Sequence, residues 1–187
     1  MRNKLILCLA IALMAQTAVA QKPIPPPKLS IPEVEVLDQD GRKQNFYADL
    51  VKDKVVIINF IFTTCKVTCP LSGAHFSKLQ NALGERMGRD VFLISISTDP
   101  ETDTPEKLKA WGKRFQAKAG WTLITGDAKE ITRLLRVLKG DGLDKDYHVP
   151  SLYMVNDVKK THRRAYGLED PARAIKLVDE LATAVQD

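Results

Sequence analysis

The chain is poor in cysteine, in histidine and in long apolar runs, and each shortage narrows what it can be. Of 187 residues, three are cysteine and three histidine, too few for a disulfide-rich scaffold. The apolar stretch at residues 5–15, LILCLAIALMA, falls well short of the roughly 20 residues a spanning helix needs. No serine-triad motif, phosphate-cradling glycine loop or paired-carboxylate signature stands out, which argues against the corresponding hydrolase and nucleotide chemistry. No internal repeat is present. A net charge of +5 is too mild to imply a nucleic-acid partner.

What is present begins with an export pattern. Arg2 and Lys4 precede the apolar stretch, and residues 18–20 (AVA) follow it at the spacing a signal peptidase uses. Residues 1–20 are therefore expected to be a cleaved signal peptide, with an uncleaved anchor as the alternative. Leu7 is too bulky for lipidation at Cys8. Without residues 1–20, which hold two basic and no acidic residues, the charge falls from +5 to +3. Residues 21–31 are expected to be a proline-rich spacer of extended polyproline character. One domain over 32–187 follows, long enough to bury a respectable core.

Within that domain, residues 33–37 (EVEVL) alternate like a half-buried strand, followed by turn residues 38–41. Residues 54–62 (KVVIINFIF) form a β-branched and aromatic run, as in a strand covered on both faces, and 90–98 repeat the pattern. A helix is expected after Pro70, with Leu71, His75, Leu79 and Leu83 on related faces. Asp103 or Thr104 caps the next helix, opened by Pro105, and Asp127 caps a third. Strands at 121–125 and 151–157, a returning strand through His162, and a last helix from Asp170–Pro171 complete an α/β fold. The basic cluster 159–164 reads as a solvated turn holding His162, while Arg133, Arg136 and Lys139 are solvated surface. His75 reads as a core or boundary histidine.

The stretch 60–70, FIFTTCKVTCP, carries the chemistry. Cys65 and Cys69 follow a buried strand at the carboxyl end, where α/β sheets place their sites. A disulfide closing so short a loop gains only about 2 kcal/mol in the chain-entropy model, so a structural staple is the weakest interpretation. If residues 66–69 turn helically, both sulfurs share one face, where they can ligate an ion or exchange a disulfide. The third residue of interest is His148, just ahead of residues 149–155 (VPSLYMV), a strand expected beside the cysteine-bearing one. Pro150–Leu152 is similar to the cis-proline loop of thioredoxin-like folds, which would bring His148 over Cys65 and Cys69 as a ligand.

Taken together, FIFTTCKVTCP, LISISTDPETDTPEKLKAW (93–111), AGWTLITG (119–126), the late histidine and RAYGLED (164–170) resemble the Sco/SenC copper-binding proteins. The resemblance spans roughly residue 31 to the end. It implies a thioredoxin-like fold, a central mixed sheet flanked by helices with an N-terminal β-hairpin. It also implies a copper site, Cu(I) or Cu(II), formed by Cys65, Cys69 and His148. The implied function is periplasmic: a copper chaperone that helps assemble the dinuclear copper centre of a cytochrome c oxidase or related enzyme. Its partners would be the copper-receiving subunit and a thiol reductant or copper donor, with the chain itself a monomer. Many family members carry an aspartate directly before the histidine; here Tyr147 stands there and Asp146 one step earlier. Asp99 matches a family position near the site and serves either metal tuning or the turn after the second strand.

Two thiolates and an imidazole suit copper but also admit zinc. The alternative of another class is a thiol–disulfide oxidoreductase that keeps a cuproprotein's cysteines reduced. Peroxidase activity is disfavoured, because the proline-containing peroxidatic loop is missing, and a copper-sensing role stays open.

Overall fold

Alternation opens the domain: in β1 (Glu35–Asp38) Val36 and Asp38 turn inward while Glu35 faces solvent. The Asp38 carboxylate accepts the N–H groups of Asp40 and Arg42 at 2.8 and 2.9 Å, which bends the chain into β2 (Lys43–Asn45). This is the expected N-terminal hairpin. A π-helical turn over Phe46–Val51 follows and buries Phe46, Leu50 and Val51. The described residues of this computed structural model are 30–138, 150–168 and 170–183. The expected signal peptide and most of the proline-rich spacer lie outside them.

The β-branched run becomes β3 (Val55–Ile61), leading into α1 (Thr68–Leu83). Then come β4 (Val91–Ser97) and α2 (Pro105–Arg114). Thr104, rather than Asp103, caps α2 by accepting the Lys107 N–H, and Pro105 stands in its first turn. Next are β5 (Trp121–Thr125) and α3 (Ala128–Val137), capped by Asp127 through the N–H groups of Lys129 and Glu130. The chain closes with the hairpin β6 (Ser151–Asn156) and β7 (Thr161–Tyr166), then α4 (Pro171–Thr183). No helix among the described residues is long and apolar enough to cross a membrane.

All seven strands form one mixed sheet in the order β2-β1-β5-β4-β3-β6-β7. β3, β4 and β5 run parallel, while β6 lies antiparallel to β3 with Asn59 opposite Leu152. The strand after His148 therefore does lie beside the cysteine-bearing strand. One face of the sheet packs Ile57, Ile61, Leu93 and Trp121 against Phe76 and Leu79 of α1, Leu108 and Trp111 of α2, and Leu177 and Val178 of α4. The other packs Val56, Ile58, Ile94 and Ile96 against Phe46, Leu50 and α3. Both faces being covered explains why β3 and β4 read as continuous apolar runs. α1 and α2 approach closely: a Cβ on Gly73 would stand 2.6 Å from the Phe115 ring.

Two expectations, for Leu71 and His162, need correction. Leu71 does not face inward with His75, Leu79 and Leu83; it is 52% exposed. The reason is that α1 starts at Thr68, which turns Cys69, Ser72 and Phe76 to the core in its place. Of the two caps expected for α2, Thr104 is the one used, and the Asp103 carboxylate is engaged elsewhere. His162 is not in a solvated turn: it lies in β7 and stacks on Tyr153, with ring centroids 5.8 Å apart. His75 is buried, as expected.

Candidate metal and thiol site

The site grows from the carboxyl end of β3. Phe62 to Cys65 form a tight turn in which the Cys65 N–H donates to the Phe62 carbonyl at 3.3 Å. Cys65 thus stands just outside α1, half-buried, while Cys69 falls in its first turn with no exposed surface. The helical turn expected at residues 66–69 is realised only from Thr68 onward. Even so, the two cysteines meet. The Cys69 N–H donates to Cys65 Sγ at 3.2 Å, and the Phe62 N–H donates to Cys69 Sγ at 3.5 Å. The structure holds the two side chains together without a disulfide between them.

Their electrostatics diverge. Burial opposes the Cys65 thiolate, but the Cys69 N–H, the Cys69 thiol and the N–H groups of Val67 and Thr68 outweigh it and hold the thiol below its ordinary value. This is the anion-favouring environment of a helix N-terminus. Burial pushes the Cys69 thiol up strongly. The Phe62 N–H works against that, while the neighbouring Cys65 sulfur and the Asp103 carboxylate add to it. One thiol is accessible and acidic; the other is hidden and holds its proton.

Asp103 is the residue the sequence did not single out for the site. It is 1% exposed. Its carboxylate accepts the Thr63 N–H at 3.1 and 3.2 Å, the Thr63 hydroxyl at 2.5 Å and the Ser97 hydroxyl at 2.6 Å. Among the described residues no cation pairs with it. The signal that could have found it is the D-x-x-x-D-T-P spacing, in which Thr104 already supplies the cap and leaves Asp103 without a task. Asp99 is buried, and its backbone carries the turn: its N–H donates to Ser97 Oγ at 3.1 Å, and its carbonyl accepts from Thr102 and Asp103.

Pro150 lies one residue before β6, and its carbonyl accepts the Gly167 N–H. The antiparallel register puts this start of β6 at the edge where β3 ends. His148, Tyr147, Asp146, Lys139 and the peptide bond from Val149 to Pro150 lie outside the described residues. Among the described residues no group of three His, Cys, Asp or Glu is placed to hold a metal ion. The donors present are two thiols a few residues apart, one of them primed as thiolate. That set fits a soft ion such as Cu(I). A bound cation would also deprotonate Cys69, whose burial otherwise keeps the proton.

Comparison with known proteins adds to this geometry. A family model described as SCO1/SenC matches residues 27–183. The SCO1 protein homolog of Bacillus subtilis is 33% identical over 141 residues, 71% of this chain and 72% of its own. BsSco, a member of the Sco family of cytochrome c oxidase assembly proteins with an identified disulfide switch, aligns with TM-score 0.68. Its identity is 27%, over 87% of this chain and 99% of BsSco. ScoI of Bradyrhizobium japonicum with copper bound gives TM-score 0.64 at 25% identity, over 80% of this chain and 98% of its own. The mixed sheet flanked by helices is the thioredoxin-like fold of these Sco structures.

Proposed function

The chain belongs to the SCO1/SenC family, and from that premise we propose that it is a periplasmic copper chaperone using Cys65, Cys69 and His148. The observation that carries this reading is the sulfur pair at the start of α1, hydrogen-bonded through the Cys69 N–H and free of a disulfide. His148 precedes Pro150 by two residues, and Pro150 stands at the same sheet edge, which supports its place as third ligand. Copper is the cargo. Cys65, half-exposed and acidic, is the donor an incoming partner ligand can displace. Cys69, buried against Phe62, is the donor that stays. The receiving partner is the copper subunit of a cytochrome c oxidase or related enzyme. Export rests on the basic, apolar and small-residue pattern of residues 1–20.

A Cu(I) competition titration of the reduced protein tests this. Tight binding of one ion, weakened at least about a hundredfold by Cys65→Ser, Cys69→Ser and His148→Ala, is the expected result. Binding indifferent to His148 would remove the delivery reading.

The asymmetry of the two thiols favours a second reading, a thiol–disulfide oxidoreductase. An acidic, accessible Cys65 would attack a client disulfide and release one client thiol. Cys69 would then attack the Cys65 sulfur of the mixed disulfide, releasing the second client thiol and leaving a Cys65–Cys69 disulfide for an external thiol reductant to reopen. That activity would survive His148→Ala.

A further inference from the structure

A buried carboxylate with no cation beside it calls for an account. Asp103 has four hydrogen bonds from three donors, two of them from Thr63. Thr63 is the second residue of the turn that ends at Cys65. The third donor, Ser97, is the last residue of β4, and its hydroxyl is itself fixed by the Asp99 N–H. The carboxylate thus fastens the front of the cysteine turn to the end of the neighbouring parallel strand. A second tie runs beside it, from the Thr98 N–H to the Ile61 carbonyl at 2.8 Å.

Among the described residues, no side chain ties the opposite side of the turn in this way; the N–H groups of Val67, Thr68 and Cys69 face the Cys65 sulfur instead. Lys66 and Val67 form a bend before α1, and Val67 is 69% exposed. Cys65 sits between the fastened half and this open half. Its sulfur meets the Cys69 N–H only while the turn holds its shape. The Cys65 N–H to Phe62 carbonyl bond closes that turn, and the side-chain hydrogen bonds that anchor its front to β4 end on Asp103.

We propose that Asp103 is a positioning residue for the cysteine pair, holding Thr63 so that Cys65 Sγ is presented at the N-terminus of α1. It touches no cargo and acts only through Thr63. The proposal rests on the reading that Cys65 and Cys69 are the working site. It differs from a purely electrostatic role for Asp103, which would act on the sulfurs by charge alone. It differs also from a merely structural role, in which the carboxylate holds the fold and leaves the sulfurs indifferent.

The test compares Asp103→Asn, Thr63→Val and Thr63→Ser, each first shown to be folded by circular dichroism. Two readouts follow: the rate of Cys65 alkylation by iodoacetamide, resolved from Cys69 by peptide mass, and the Cu(II)–thiolate charge-transfer spectrum. Losing a hydrogen bond to a charged acceptor should slow Cys65 about tenfold and shift the absorption band in both Asp103→Asn and Thr63→Val. Thr63→Ser, which keeps the hydroxyl, should match the unmodified protein. If Asp103→Asn does not fold, the two Thr63 variants decide the matter. Folded Asp103→Asn and Thr63→Val proteins that behave like the unmodified one would overturn the proposal. So would an effect in Asp103→Asn with none in Thr63→Val, since the Thr63 hydroxyl, through which the carboxylate is proposed to act, would then have no part in it. Failure of the unmodified protein to bind copper would instead count against the chaperone reading, because alkylation needs no metal.

Discussion

Cys65 and Cys69 are separated by three residues, yet they meet opposite environments. Thiolate, not thiol, is the nucleophile, so the difference is directly measurable. Because the Cys65 thiol is held below its ordinary value of 9.0, its thiolate fraction saturates at lower pH than that of a free thiol. The iodoacetamide rate at Cys65, followed from pH 5 to 10, should have its titration midpoint below pH 9.0. Cys69 carries the reverse sign: burial raises its pKa, so it should remain unmodified across the same range until denaturant opens the domain. A Cys65 rate still climbing in proportion to hydroxide at pH 9 would contradict the hydrogen-bond pattern around its sulfur.

At the level of elements, β3 and β4 were legible as uninterrupted β-branched runs, and α2 and α3 announced themselves by Thr104–Pro105 and Asp127. These signals are local, and local chemistry decided them. Leu71 departs from its expected face because the start of α1 depends on how the Phe62–Cys65 turn delivers the chain, not on the helix's own periodicity. The π-helical turn at Phe46–Val51 has no local signal in the sequence for the same reason: tertiary ties shape it. The Asp53 backbone, at φ 59°, and its N–H donation to the Asp157 carboxylate at 2.9 Å belong to that set. Asp157, 4% exposed, also accepts from Lys160 at 2.9 Å and Tyr47 at 3.4 Å. It thereby joins the β6–β7 turn to the segment before β3. Burial alone would raise its pKa, but Lys160, the Asp53 N–H and the Tyr47 hydroxyl prevail and hold it below the usual 3.8. A lowered carboxylate pKa gives stability that is complete above the ordinary value and lost as pH falls through the folded one. Asp157→Asn should therefore cost about 1–2 kcal/mol at pH 7, a figure discounted because Lys160 is exposed. In urea titrations the gap to the unmodified protein should close as pH falls below 3.8. A gap that persists there would mean that shape, not charge, holds the turn.

Across the whole molecule, the Cys65 and Cys69 sulfurs stand at the end of the doubly covered part of the sheet without being part of it. β3 has β4 on one side and β6 on the other, with an apolar cluster on each face. The sheet ends instead on β2, three polar residues long, and on β7, which carries Arg163 and Arg164, features that blunt pairing between exposed edges. The cysteine turn hangs from the end of β3 by Asp103 and the Ile61 carbonyl. The third expected ligand, His148, could be read only from the chain order Tyr147–His148–Val149–Pro150. The proposed partnership with the sulfurs would depend on long-range placement that no local pattern encodes. Such an arrangement lets the site open locally while the sheet stays shut. In hydrogen exchange, amides of β3 and β4 should be the slowest and approach the limit set by global unfolding, while Thr64 and Lys66 exchange through local opening. Saturating Cu(I) should slow exchange at residues 64–69 by about tenfold or more, because a ligand that binds only the closed turn stabilises it by mass action. The β3 and β4 amides should change far less on this view, since their exchange does not require the turn to open. Equal slowing across turn and sheet would show instead that metal and sheet form a single cooperative unit.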